Sequence, residues 1–331
     1  MKQLIKKFVE SYGPSGYEHK IRDVISAEIQ ALGYELSQDA LGNLIAFKKG
    51  DGTGKKVMIA GHMDEIGLIV THIDDNGFLR VSNVGGVNPA VALGQRVLFE
   101  NGTVGVVGSE PIEEPKDLKI PKLFVDIGAR DRQEAEKKVQ VGDMAGFLNE
   151  MLDFGERLVA KSMDDRIGCA VMVLAMRRLD STPNDCYFVF TTQEEVGLRG
   201  ARTSSYGISP DIGISLDVTK TGDTPKALTM AVSLGKGTAI KVCDKSIICH
   251  PKVKGLMVEA AKKHNIPYQM EVLDVGGTDS GAIHLTKEGV PSGVISIPTR
   301  YVHTPSEMVD IGDIEASVEL LVRVLESRID I

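Results

Sequence analysis

The chain has 331 residues, 42% of them hydrophobic and 25% charged, a balance that supports one large domain or two with a substantial core and argues against disorder. Its formal net charge is -8, so counterion release offers no route to DNA or RNA, and no Lys/Arg run marks a membrane-surface patch. None of the four cysteines, Cys169, Cys186, Cys243 and Cys249, forms a CxxC pair, and reduced thiols in these contexts point to the cytoplasm.

The first thirteen residues, MKQLIKKFVESYG, carry Leu4, Ile5, Phe8 and Val9 at helical spacing with charges between them. That pattern predicts an amphipathic helix and not a signal peptide. Gly13-Pro14-Ser15-Gly16 reads as a turn, and residues 17–32 as a second amphipathic helix. LGNLIAF (41–47) and KKVMIAG (55–61) read as strands around a turn at 51–54. From Ile66 to about Asp153 the chain shifts to short strand-like runs and many turns, with hairpin signals at Asp75-Asn76-Gly77 and Asn101-Gly102. A Pro-rich charged stretch at 111–122 reads as an exposed loop.

Alternation of helix and strand then returns. Helices are expected at 167–179, 200–206, 252–263 and 314–325, and strands at 187–192, 212–216, 238–242, 269–273 and 293–297. The apolar run Cys169 to Met176 falls far short of the ~20 residues a membrane-spanning helix needs. The fold class expected is α/β, with a mixed, largely parallel sheet flanked by helices. Residues 1–65 and 155–331 form its main domain, and residues 66–154 a small inserted β-rich domain.

Polar residues collect where the apolar strands end. VMIAGHMDE closes on His62, Asp64 and Glu65, YFVFTTQEE on Glu194 and Glu195, IGISLD on Asp217 and GVISIPTRYVH on His303. Asp164 and Asp165 precede the helix at 167. In open α/β sheets ligands bind at the carboxyl ends of the strands, so these segments should converge on one edge. Each alone has an ordinary explanation, such as an acidic first helical turn at Glu194-Glu195 or a helix cap at Asp164-Asp165. Together, two imidazoles and several carboxylates make a mixed N/O donor set suited to zinc, cobalt or manganese and large enough for a pair of ions. His19, His72, His250, His264 and His284 have no such company.

In order along the chain stand GHMDEIG, KSMDDRIG, TTQEEVGLRGA, SLDVT, GGTDSGA and IPTRYVHTPSEM. This ordered set closely resembles the M42 family of metallo-aminopeptidases, which includes glutamyl and deblocking aminopeptidases and the tetrahedral TET peptidases. The resemblance covers the whole chain and implies a catalytic α/β domain of the zinc-peptidase type with a PDZ-like insert that mediates assembly. It implies two divalent ions per subunit, zinc or cobalt, with Asp164 bridging, His62 and Asp217 completing one shell, and Glu195 and His303 the other. Glu194 would be the general base and Asp64 would orient His62. Gly277, Thr278 and Asp279 would line the substrate site. Short peptides with free N-termini would be cleaved by water activated between the metals. The chain would self-associate, as a dodecamer built from dimers.

Two alternatives compete. A glycosidase of the endoglucanase type would need carboxylates flanking the sugar at ~5–9.5 Å, which adjacent Glu194 and Glu195 do not naturally provide; the chain also lacks Trp. A catalytically inactive structural shell would lack the ligand types that are present here. The preferred N-terminal residue, acidic, basic or apolar, is not fixed by the sequence: one of Arg199 and Arg202, close to the glutamates in sequence, would favour an acidic side chain, and equally both would be surface residues.

Overall fold

A computed structural model describes all residues, Met1–Ile331. The strands in chain order are β1 (Glu35–Gln38), β2 (Leu44–Lys48), β3 (Lys56–His62), β4 (Gly67–Ile73), β5 (Leu79–Val84), β6 (Arg96–Phe99), β7 (Val104–Ser109), β8 (Leu123–Asp126) and β9 (Met144–Phe147). They continue as β10 (Leu152–Asp153), β11 (Arg157–Ala160), β12 (Asp185–Thr191), β13 (Ile212–Thr219), β14 (Thr238–Cys243), β15 (Tyr268–Val272), β16 (Ser292–Arg300) and β17 (Glu307–Asp310). The helices are α1 (Lys2–Val9), α2 (His19–Ile29), α3 (Pro89–Ala92), α4 (Arg132–Glu136), α5 (Met163–Arg178), α6 (Arg199–Ile208), α7 (Pro251–Lys263), α8 (Ser280–Ile283) and α9 (Ile311–Glu326).

Eleven strands form one sheet, in the path β1-β2-β12-β3-β13-β16-β17-β11-β10, with β14 on β16 and β15 on β14. Its heart is the parallel set β12, β3, β13 and β16, while β1, β2, β14, β17, β11 and β10 join by antiparallel pairing. The parallel strands are buried on both faces: KVMIAGH is a nearly continuous apolar run, and IGISLDVT is buried at every position, its Gly, Ser, Asp and Thr included. Helix α5 is apolar on every side and buried from Met163 to Met176, as a helix sealed between the sheet and α1 and α9 must be. No helix is long and apolar enough to cross a membrane.

Strands β4–β9 close into a separate antiparallel barrel with its own core, including Leu68, Val97, Phe99, Val125 and Phe147. The expected hairpins at 75–77 and 101–102 join β4 to β5 and β6 to β7. Strands β8 and β9 complete the closure. The Pro-rich stretch holds only two short 3-10 turns.

Just before the chain enters the barrel at β4 stands Glu65, which is 2% exposed. Its carboxylate receives the Lys161 ammonium at 2.5 Å, the Ser162 hydroxyl and the Gly13 N–H at 3.0 Å, with the Arg166 guanidinium 3.6 Å away. Lys161 and Arg166 are equally buried. Removing one partner of a buried ion pair leaves an uncompensated charge. Glu65→Ala should therefore lower unfolding free energy by about 3–5 kcal/mol in denaturant titration. A loss below about 1 kcal/mol, the range of an exposed pair, would contradict this role.

Candidate metal centre and catalytic site

The carboxyl ends of the four parallel strands do converge. His62 is the last residue of β3, Glu194 and Glu195 follow β12, Asp217 lies within β13 and His303 follows β16. Asp164 comes from the start of α5, where Asp164 and Asp165 have non-helical φ/ψ and are joined by a cis peptide bond. The regular helix thus begins beyond the Asp-Asp pair.

Asp164 sits between the imidazoles. Its Oδ1 is 3.0 Å from His62 Nε2, and its Oδ2 is 3.2 Å from His303 Nε2. Glu195 Oε1 lies 3.3 Å from the same His303 nitrogen, and Glu194 Oε2 3.9 Å from His62 Nε2. Two groups place donor atoms within 4.8 Å of one another: His62 with Asp164 and Glu195, and His62 with Asp165 and Asp217.

The adjacent glutamates reach one site because β12 stops at Thr191 and Gln193 adopts a left-handed backbone, φ 54. On a continuing strand they would face opposite sides. The turn is fastened by Asp64: Oδ1 accepts the Glu194 N–H at 2.9 Å, and Oδ2 the Glu195 N–H at 3.2 Å and the Ser15 hydroxyl at 2.6 Å. Asn43 Oδ1 and Glu18 Oε1 accept the Thr192 and Gln193 N–H groups. Asp64 also stands against His62, the residue it is expected to orient. The ring Nδ1 lies 3.1 Å from the Asp64 carbonyl oxygen and 3.5 Å from its carboxylate.

Electrostatics separate the carboxylates. Burial raises Asp164, but the His303 and His62 imidazoles outweigh it and hold the group below the ordinary range. Burial, reinforced by neighbouring carboxylates, pushes Glu194, Asp165 and Asp217 well above it. Burial also opposes the proton on His303, yet Asp164 and Glu195 push that imidazole up to about 12. His62 rises too, burial being outweighed by Glu194 and Asp164. Carboxylate outnumbers imidazole, and the cluster is built for cations.

Asp164, Glu194, Glu195, Asp217 and His303 open on a cleft of about 600 Å³. Gly277 lines it, but Thr278 and Asp279 do not: they are 1% and 2% exposed, and Asp279 accepts the Thr191 hydroxyl at 2.5 Å beneath the cluster. Arg199 and Arg202 point to solvent on α6, and the cations on the cleft wall are Lys220 and Lys241. Lys241 is paired with Glu271 at 2.5 Å and Asp244 at 3.3 Å, whereas Lys220 has no carboxylate partner.

Sequence reasoning assigns two residues no role of their own, although it gathers Asp165 into the cluster. Asp165 reads as a cap, yet it is fully buried and accepts the His62 N–H at 3.3 Å and the Gly168 N–H at 3.1 Å. Glu307 is buried on β17, where one oxygen accepts the Asp164 N–H at 2.9 Å and the other the His303 N–H at 2.7 Å. Its place four residues after His303 was the only available signal.

Comparison with known proteins adds an independent line. The family described as M42 glutamyl aminopeptidase matches residues 42–320. The lysyl aminopeptidase of Pyrococcus furiosus is 38% identical over 338 residues, covering 98% of this chain and 96% of its own. Aminopeptidase APDkam598 from the archaeon Desulfurococcus kamchatkensis superposes with a TM-score of 0.94 at 42% identity, covering 98% of this chain and 94% of its own. The TET1 peptidase of Pyrococcus horikoshii, which can assemble into a tetrahedron or a large octahedral shell, superposes at 0.88 with 32% identity and 98% coverage of both chains.

The charge arrangement predicts a pH dependence for metal-free protein. An acid whose folded pKa is raised stabilises the fold below its unfolded value and loses that contribution as pH climbs through the folded one, and a histidine with a raised pKa behaves the same way. Glu194, Asp165, Asp217, His62 and His303 all shift in that direction. Chelator-treated protein should therefore melt at a lower temperature at about pH 9 than at about pH 6. A midpoint that is level or rises over that range would contradict the assignment.

Proposed function

The chain belongs to the M42 peptidase family of aminopeptidases, and we propose that it removes N-terminal residues from short peptides with two divalent ions per subunit. The observation that carries this reading is the Asp164 carboxylate, one oxygen facing each imidazole. A carboxylate so placed would serve both ions. The donor set fits the ions: imidazole and carboxylate alone face the cluster, and the nearby Cys169 thiol is turned to the His62 carbonyl. Such a set takes zinc, cobalt or manganese. His62 and Asp217 would hold one ion with Asp164, and Glu195 and His303 the other.

When bound, the ions supply Lewis acidity that polarises a scissile carbonyl and acidifies water. Glu194 is the proton carrier. Its side chain borders the cleft and is largely buried, within reach of a water in the cleft, where it can take a proton and return it to the leaving amine. The excess of carboxylate at this end of the cleft favours the α-ammonium of a free N-terminus, which limits removal to the first residue. Thr219, Leu273, Val275, Gly276 and Gly277 form the wall along which its side chain would lie. That wall has no Phe, Tyr or Trp, so it offers no stacking platform for the sugar of a glycosidase substrate.

Self-association into an oligomer built from dimers, with a dodecamer as its full form, is part of the reading and is supported by the likeness to TET1. So is a cytoplasmic location, supported by four free cysteines.

Amino-acid release from a panel of short peptides with free and acetylated N-termini, after loading with zinc or cobalt, tests the activity. Stepwise release from free termini alone is expected, and its absence from every peptide would refute the reading. Glu194→Gln should keep its metal and lose about 10²–10⁴-fold in kcat; turnover close to wild type would remove Glu194 as the base. His303→Ala should lower bound metal, and unchanged stoichiometry would exclude it as a ligand.

A further inference from the structure

The barrel reaches the catalytic cleft through the turn that follows β5. Gly86, Asn88 and Val91 from this segment line the same cleft as Glu194 and His303. The turn is tied to the barrel on both sides, by Val84, paired with Gly67 of β4, and by Val87, which packs in the barrel core. Asn83 Nδ2 donates to the Gly85 carbonyl at 2.7 Å, and the Val87 N–H bonds the same oxygen at 3.1 Å. Its place against the site is therefore set by the barrel.

Both glycines of this turn abut groups assigned above to one ion. A side chain on Gly85 would stand 3.1 Å from Glu195 Cβ and Oε2 and 2.8 Å from Ile66 Cγ2, and Gly85 has φ 73, a conformation open to glycine. A methyl on Gly86 would overlap the His303 ring, touching Nδ1 and standing 2.8 Å from Cε1. A histidine ligand is ordinarily oriented by a hydrogen bond from its second ring nitrogen. Here that nitrogen, Nδ1, faces the bare α-carbon of Gly86 while Nε2 faces Asp164 and Glu195. The ring hangs on a residue with φ 63 whose only backbone anchor on that side is the Glu307 carboxylate.

We propose that the Gly85-Gly86 turn of the inserted barrel is a steric wall that positions Glu195 and His303, with Gly86 as the positioning residue for the His303 ring. The barrel then contributes to metal affinity directly, apart from any part in assembly. This rests on the two-ion reading. Gly86 has an ordinary backbone conformation, so alanine is tolerated by the chain and the strain falls on a side chain that can rotate. The ring yields, and the fold does not.

The test compares wild type, Gly86→Ala, His303→Ala and the double variant with Gly207→Ala, a control whose added methyl meets nothing within 4 Å. Cobalt is titrated into chelator-treated protein, followed by visible absorption and by metal analysis after dialysis. Wild type and the control should hold two ions per subunit. Gly86→Ala should hold one as tightly and bind the second about 10–100-fold more weakly, with an altered cobalt spectrum and an unchanged melting midpoint of the metal-free protein. In the His303→Ala background the same substitution should add no further weakening, because its effect passes through the ring.

Wild-type affinity for both ions in Gly86→Ala would overturn the proposal. So would an equal weakening in the His303→Ala background, or a drop of several degrees in the metal-free midpoint, which would mark a purely structural role. Fewer than two ions in wild type would overturn the two-ion reading itself, and the proposal with it.

Discussion

The Asp164 carboxylate stands between two imidazoles, one at the end of β3 and the other just after β16, and the rest of the site is arranged to make that position tenable. A buried carboxylate is costly unless charge or hydrogen bonds meet both its oxygens. His62 meets one and His303 the other. Its backbone N–H is held by Glu307, which also holds the N–H of His303. Around this arrangement lie Glu194, Asp165 and Asp217, each pushed up by burial and by its neighbours. Negative charge crowded this closely has one economical use, the binding of cations, and it is the physical ground for reading the cluster as a metal centre.

Support for that centre comes from far along the chain. The N-terminal Gly-Pro-Ser-Gly turn supplies the Ser15 hydroxyl to Asp64 and the Gly13 N–H to Glu65. Asp64 then fastens the Glu194-Glu195 turn, and Glu65 gathers Lys161, Ser162 and Arg166. Two consecutive acids after β3 thus divide the labour: one shapes the Glu194-Glu195 turn, and the other ties the N-terminal turn to the start of α5. The inserted barrel returns the support by placing glycines against Glu195 and His303.

Much of this was legible in the sequence because its cause is local. Doubly buried parallel strands must be continuous apolar runs, so VMIAG and YFVF announced themselves, and the polar residues that closed them could be placed on one edge by topology alone. Short strands were not legible. β1, β17 and the barrel's β8 and β9 have four residues each and owe their existence to partners. Nor could sequence distinguish Asp165 and Glu307 from caps or surface acids, since their work is done on backbone N–H groups brought close by folding. Thr278 and Asp279 were placed on the cleft by their neighbourhood with Gly277, but the chain turns them under the cluster. The sequence pointed to Arg199 and Arg202 as cations near the substrate, whereas the start of α6 turns them to solvent.

Anomalous diffraction from crystals of the zinc-loaded protein tests the central claim most directly. The account predicts two peaks per subunit, both against Asp164, one also bounded by His62 and Asp217 and the other by Glu195 and His303. A single peak, or peaks that leave Asp164 outside the ligand set, would contradict it.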